Sequence, residues 1–259
     1  MHPGWVFHSE IVRAVSDHPE GPYQFVEVVL PRRDSAYFDG QATHNPSIHR
    51  CGNMWLLFYT GITYPDPPPD PAALPAAGSL SYALTWGMKR IGLATAPGPD
   101  GPWTRRDECI LDVRSGRWDN GLTSNPAPCV FPDGRVVLLY KSSHRNGHSG
   151  GPFALGLAGA EHWSKPFARL HGEPVLRFPD GHVEDPFLWH DGRGFRVVAK
   201  DMTGTLSGER HGGLAASSGD GVHWQIDGPA YSRRIIWDDG EEEVMGALMS
   251  ENPDASMEI

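Results

Sequence analysis

The sequence lacks any run of ~18 apolar residues, and Met1 to Arg13 lacks the basic-then-apolar order of an export signal. Neither a membrane span nor secretion is indicated, so cytoplasmic residence is the expectation. Cysteine is scarce. Cys51, Cys109 and Cys129 are odd in number, far apart and without zinc-ribbon spacing, so they read as small buried hydrophobes rather than a disulfide framework. Positive charge is also short: 22 Lys and Arg face 32 Asp and Glu, for a formal net charge of −10. Such a chain repels a phosphate backbone unless its basic residues cluster strongly, and they do not. No nucleic-acid or membrane partner is expected. Long helices are excluded as well, because 31 Gly and 24 Pro make up about a fifth of the 259 residues, where ~12% is usual. What remains is 39% hydrophobic and includes 9 Trp, enough to fill the core of a soluble, loop-rich globule.

The chain repeats itself. Three segments share an aromatic, an acid and then Asn-Pro or Asp-Pro: Phe38-Asp39 to Asn45-Pro46, Trp118-Asp119 to Asn125-Pro126, and Phe178 with Asp180 to Asp185-Pro186. Each leads into an apolar stretch, a tight turn and a second stretch: Ser47-Ile48 then Met54 to Tyr59, Ala127 to Phe131 then Val136 to Tyr140, Phe187 to Trp189 then Phe195 to Ala199. The turns at Gly52-Asn53, Asp133-Gly134 and Asp191-Gly192 are hairpin signals. A third strand follows at Arg90 to Ala94, Phe153 to Ala158 and Gly213 to Ser217, and then a turn closed by Trp103, Phe167 or Trp224.

Four antiparallel strands in tandem make a β-propeller blade, because stacking buries sheets that cannot be buried alone. A β-sandwich also uses short strands but does not require motifs at matching places. Residues 9 to 30 hold only the last two strands of an earlier unit. Trp237-Asp238-Asp239-Gly240 announces another, yet Glu241 to Ile259 is acidic and not strand-like. The expected fold is all-β, an incomplete propeller of about three and a half blades over residues 1–240, with an acidic irregular tail at 241–259. It reads as part of a ring, a fragment or a truncated frame, whose exposed blade edges invite self-association.

In an up-and-down blade, the connection leading into the inner strand lies on the same face as the loop between strands two and three. Polar groups from both therefore converge at the channel mouth, the expected ligand site. Gathered there are Asp39, His44, Asn45, Asp119, Ser124, Asn125, His182, Glu184 and Asp185, with Lys141, His144, Lys200, Asp201, Glu209 and His211 from the loops. Trp86 and Trp118 stand near enough to stack on a sugar ring. Paired carboxylates in such a pocket suit glycoside hydrolysis, where one acid protonates the leaving oxygen and another activates water or attacks. The acid must hold its proton near neutrality, which crowding or burial can arrange.

Plainer readings compete. Asp39, Asp119 and Asp180 also suit structural caps, and Lys141 and Lys200 at strand ends also suit solvated charges. No compact His-x-x-x-His helix joins His144, His148 and His182, so neither metal nor cofactor is expected, and an ion such as Ca²⁺ in the channel stays open. Glu184 and Asp185 are adjacent, and strand alternation allows only one to face the channel squarely.

The Asn-Pro and Asp-Pro strand starts, above all Val183-Glu184-Asp185-Pro186-Phe187-Leu188-Trp189, together with the Gly-Pro-aromatic turns, resemble the five-bladed β-propeller glycoside hydrolases of family 43 and the related families 32, 62 and 117. The likeness spans residues 9 to 240. It implies that Asp185, ahead of Pro on an inner strand, serves as base, nucleophile or tuner of the acid's pKa, the tuning role fitting best. It also implies a Glu as general acid, for which Glu184 and Glu209 are the candidates. Asn45 and Asn125 stand where some relatives place Asp; amides cannot act as base and instead bind hydroxyls, as would His44 and His182. The rival readings are a carbohydrate-binding or interaction propeller without catalysis, and an inactive fragment.

Overall fold

The computed structural model describes residues 5–64, 70, 79–147, 149–236 and 240–244. Among them, three four-stranded antiparallel sheets follow one another along the chain. The first blade holds Ala42–Cys51, Met54–Ile62, Arg90–Ala96 and Thr104–Arg105. The second holds Ser124–Val130, Val136–Ser142, Ala154–Ala160 and Ala168–Arg169, and the third Val183–His190, Phe195–Asp201, Gly212–Ser218 and Gln225–Tyr231. Ahead of them, Val12–Val15 pairs with Gln24–Val28 as the expected half blade. The architecture is an incomplete β-propeller.

Alternation within each strand explains the stacking. Along Val136–Ser142, Val137 and Leu139 join Leu188, Val197 and Leu214 of the third blade, while Val136, Leu138 and Tyr140 join Leu56, Phe58 and Leu93 of the first. A strand buried on both faces needs a continuous apolar run, and this one has it. The core therefore lies between blades. The aromatics that close the Gly-Pro-type turns, Trp103, Phe167 and Trp224, pack against these clusters. Some apolar groups stay exposed: Phe187 and Trp189 on the third inner strand and Ile48 on the first.

The inner strands differ from expectation in where they begin. They start before the Asn-Pro or Asp-Pro pairs, not after them, and the ladder slips at each pair: between His44 and Ser47, Ser124 and Ala127, Glu184 and Phe187. Asn45, Asn125 and Asp185 all take φ of +48°. Asn and Asp tolerate left-handed backbone better than other side chains with a Cβ, and proline is accepted inside a sheet at a bulge.

A second repeated device locks the blades from beneath. Asp39 accepts hydrogen bonds from Arg33 Nε at 2.7 Å, Tyr59 Oη at 2.8 Å and Arg105 Nη1 at 3.1 Å. Asp119 accepts from Arg114 Nε at 2.9 Å, Tyr140 Oη at 2.9 Å and Arg169 Nε at 3.0 Å. Both carboxylates are 0% exposed. The expectation that they hold substrate is corrected to the structural alternative, since every oxygen is already engaged and closed off from solvent. Trp118 belongs to the same knot, stacked on Tyr140 with centroids 6.0 Å apart, and does not stand at the channel mouth.

The long connection in the first blade contains a helix, Leu80–Trp86, that the composition did not announce; Ser79 caps it by accepting from Tyr82 N at 3.2 Å. Its Tyr82 packs with Phe7 of the short helix Trp5–His8. No helix among the described residues is long and apolar enough to cross a membrane. The three cysteines are free, with Cys129 buried and Cys51 and Cys109 half-buried. Trp237 to Asp239 and the tail from residue 245 lie outside the described residues. Glu242–Val244 pairs with Arg234–Ile236.

The knots depend on close approach. A Cβ on Gly156 would lie 2.4 Å from Tyr140 Cζ, whereas one on Gly172 would meet nothing within 4 Å. Gly156→Ala should lower stability by about 1–3 kcal/mol through overpacking, and Gly172→Ala should stay within about 0.5 kcal/mol of the parent. Urea unfolding of the two variants checks this; equal effects would show that the Tyr140 contact is unimportant.

Candidate functional site at the channel mouth

The bulges of the second and third inner strands bring the residues ahead of their prolines together. Asn125 Nδ2 donates a short hydrogen bond to Asp185 Oδ1, Ser124 Oγ donates to Asn125 Oδ1 at 2.8 Å, and the Asn125 backbone N–H donates to Thr60 Oγ1 at 3.1 Å. On the first inner strand His44 Nδ1 contacts Asn45 Oδ1 closely. The bulge also overturns simple alternation at Glu184 and Asp185. Left-handed backbone at Asp185 turns its side chain to the same side as Glu184, so Lys200 Nζ reaches both, at 3.3 Å and 3.6 Å.

Glu184 lies between two lysines, with Lys141 Nζ 2.6 Å from its other oxygen. Both lysines sit on second strands as cross-strand partners of the residue before the bulge: Ser124 faces Lys141 and Glu184 faces Lys200. In the first blade that place belongs to Thr60, opposite His44. Burial works to raise the Glu184 carboxyl, but the Lys141 and Lys200 charges win and hold it down at about 2. Asp185 moves the other way. Burial in the channel wall, followed by the Glu184 charge, raises it above the usual carboxylate range, while 42% of its side chain still meets solvent. The imidazoles stay neutral: His44 is pushed well below its usual value by burial and by Lys89 and Lys141, and His211 is lowered by burial, Lys200, Arg210 and Arg233.

Beside this cluster opens a cavity of about 170 Å³. Leu122, Phe153 and His182 meet residues of the loops after second strands: Trp86 from the first blade, Ser143 and Arg145 from the second, Met202 and His211 from the third. These are the two sets of connections expected on one face. Trp86 and Phe153 stack at 6.4 Å and 16°, and Lys141 Nζ lies 4.5 Å above Phe153, joining cavity and carboxylates. His182 Nδ1 accepts from Phe153 N at 3.1 Å.

Other expected residues lie apart or are otherwise engaged. Asp201 is 2% exposed and accepts from the backbone N–H groups of Thr203, Gly204, Leu206 and Ser207; it shapes its loop and offers a ligand nothing. Glu209 accepts from Ser232 Oγ at 2.7 Å and from the Arg233 N–H at 3.2 Å, and these bonds lower its pKa. His144 is exposed and contacts Arg117 O. No group of three potential metal ligands occurs among the described residues. Sequence reasoning missed Lys89, 1% exposed with Nζ 3.1 Å from the Trp86 ring centroid, as well as Arg145 and Arg210. Lys89 precedes its strand and occurs in one blade alone, so the repeat carried no signal for it.

Comparison with solved structures bears out the fold. A family 117 glycoside hydrolase of the marine bacterium Zobellia galactanivorans superposes with a TM-score of 0.61 at 20% identity, over 89% of this chain and 59% of its own. A second structure described as a glycoside hydrolase gives 0.62 at 15% identity, over 89% and 68%. A thermostable family-43 glycoside hydrolase gives 0.55 at 17%, over 87% and 68%. The chain thus spans about three fifths to two thirds of their lengths. No family model and no curated protein matches the sequence.

The Lys141–Glu184–Lys200 group gives a sign-definite pH effect. Because the Glu184 pKa falls from ~4.3 in the unfolded chain to about 2 in the folded one, its stabilisation is present above pH ~4.3 and is lost as pH falls through about 2. Glu184→Gln, which takes the ionised partner from Lys141 and leaves Lys200 with Asp185 alone, should cost about 3–5 kcal/mol at pH 7, and the deficit should shrink toward pH 2. Denaturant melts at pH 7, 4 and 2.5 check it; a deficit independent of pH would count against the ionised pair.

Proposed function

We propose that the chain is a glycoside hydrolase-like propeller acting on a glycoside or oligosaccharide at the channel mouth, with Asp185, whose carboxyl is raised, as the proton-transferring acid. The observation that carries this reading is the contrast between two neighbouring acids: Asp185 is raised and solvent-facing, Glu184 is buried and held ionised. Environments that push two carboxyls apart are how acid and anion roles are divided. Glu184, kept charged by its lysines, suits a fixed anion that raises its neighbour, so the tuning role expected of Asp185 passes to Glu184 and the proton to Asp185. Glu209, held by Ser232 and Arg233, has no support as a donor. Asn45 and Asn125 then serve as hydroxyl-binding amides, with His182 and Trp86 along the cavity wall. The fold shared with solved glycoside hydrolases supports a sugar ligand.

A second reading, carbohydrate binding without turnover, is favoured by one observation. Two of the three equivalent bulge positions hold amides, so a second carboxylate able to activate water is missing from those strands. The two readings separate in one experiment. Hydrolysis of aryl glycosides and oligosaccharides should fall at least a hundredfold in Asp185→Asn with sugar binding retained. In the parent, the rate should decline as pH rises through the raised Asp185 pKa. Unchanged turnover in Asp185→Asn would overturn the assignment, and binding without turnover in the parent would establish the second reading.

A further inference from the structure

Four described residues other than glycine take a left-handed backbone. Three are Asn45, Asn125 and Asp185, the bulge residues of the inner strands. The fourth is His211, at φ of +64°, in the wall of the cavity beside them. Neither a following proline nor a ladder slip accounts for it, since Gly212 comes next and Gly212–Ser218 pairs with Phe195–Asp201 without a break. The side chain is as unusual as the backbone. It is 6% exposed, yet among the described residues its ring makes no hydrogen bond, and Nδ1 is enclosed. Glycine would suit that backbone better and an apolar group that burial, so folding alone gives no reason for histidine here. Strained residues persist where the surroundings hold them, and they gather at binding sites.

The loop that carries His211 is fastened at both ends by one residue. The buried Asp201 carboxylate accepts from the Thr203 and Ser207 hydroxyls as well as from the backbone N–H groups near the loop's start, and the Asp201 carbonyl accepts from the His211 N–H at 2.8 Å. Between them Gly204 lies so close to the far side of the loop that a Cβ there would be 2.6 Å from Arg210 N. Burial first, then the Lys200, Arg210 and Arg233 charges, lowers the His211 pKa and keeps the ring neutral, so it carries one donor and one acceptor. An enclosed nitrogen is better left bare than protonated without an acceptor, which assigns the proton to Nε2. Trp86, Leu122 and Met202 make the buried part of the cavity wall largely apolar. A ligand hydroxyl reaching it has few polar partners, His211 and Ser143 among them.

We propose that His211 is a specificity-determining residue: its Nε2–H donates to one hydroxyl oxygen of a sugar unit lying against Trp86 and Phe153, and the Asp201 loop positions it. The proposal rests on the carbohydrate reading above and deepens it by naming the side chain that selects one hydroxyl.

The test is calorimetric binding of methyl galactoside, glucoside, mannoside, xyloside and arabinoside, followed by the monodeoxy analogues of whichever binds most tightly, to the full chain and two variants. One analogue should bind the parent about tenfold or more weakly than its sugar, because it leaves a buried donor unmet. His211→Gly, which suits the left-handed backbone, should keep or raise Tm and bind that sugar and that analogue equally, while the ratios for the other analogues stay as in the parent. His211→Asn, which tolerates the same backbone but carries a shorter amide, should lose most of the discrimination at unchanged Tm. A purely structural role predicts the reverse, a lowered Tm with every ratio as in the parent, and that result would overturn the proposal while leaving the carbohydrate reading standing. No binding of any of these sugars to the parent would overturn both.

Discussion

A left-handed residue ahead of a proline, set inside an inner strand, governs the geometry of the channel mouth. At Asn45, Asn125 and Asp185 the same φ of +48° interrupts the ladder, admits a ring that has no N–H to donate, and swings a polar side chain toward the axis. A regular strand would send alternate residues to opposite faces, and the Asp185 carboxyl would then point away from Glu184. The bulge instead lets Glu184 and Asp185 share one lysine. The charge contrast between the two acids follows from that shared placement.

Rigidity beneath the mouth comes from a different repeat. The Asp39 and Asp119 knots each join a tyrosine and an arginine from two strands with a second arginine from the same connection as the aspartate, so the connection leading into an inner strand is fastened before the bulge begins. Gly92 and Gly156 lie over the two tyrosine rings, where any Cβ would collide. A site made of small polar groups from several blades needs such fastening, because hydrogen-bond geometry fails over displacements of less than an ångström. The buried ions also carry a cost: Lys141, Lys200 and Glu184 desolvated together stabilise less than an apolar filling would. That cost is consistent with a place kept for binding rather than for folding.

Much of this was legible in the chain. The spacing of Phe38, Trp118 and Phe178 to their Asn-Pro or Asp-Pro pairs defined the blades, and the Asp-Gly pairs at 133–134 and 191–192 turn as expected, with glycine φ of +90° and +89°. The convergence of Trp86, Ser143 and Met202, from the loops after three second strands, on one face followed from up-and-down order alone. Asp39, Asp119 and Asp201 misled because a carboxylate before a polar loop looks the same in sequence whether it meets a ligand or an arginine 66 residues away. Lys89 and Arg210 were invisible because they belong to no repeated position.

The amino-acid order by itself determined the blade unit, its number and the face on which polar groups meet, since these depend on local periodicity, turn chemistry and connection order. Tertiary structure alone decided the protonation tendencies of Glu184 and Asp185 and the closing of Asp39 and Asp119. Those properties depend on distances and desolvation between residues far apart in the chain, which fall off within a few ångströms and leave no trace in spacing.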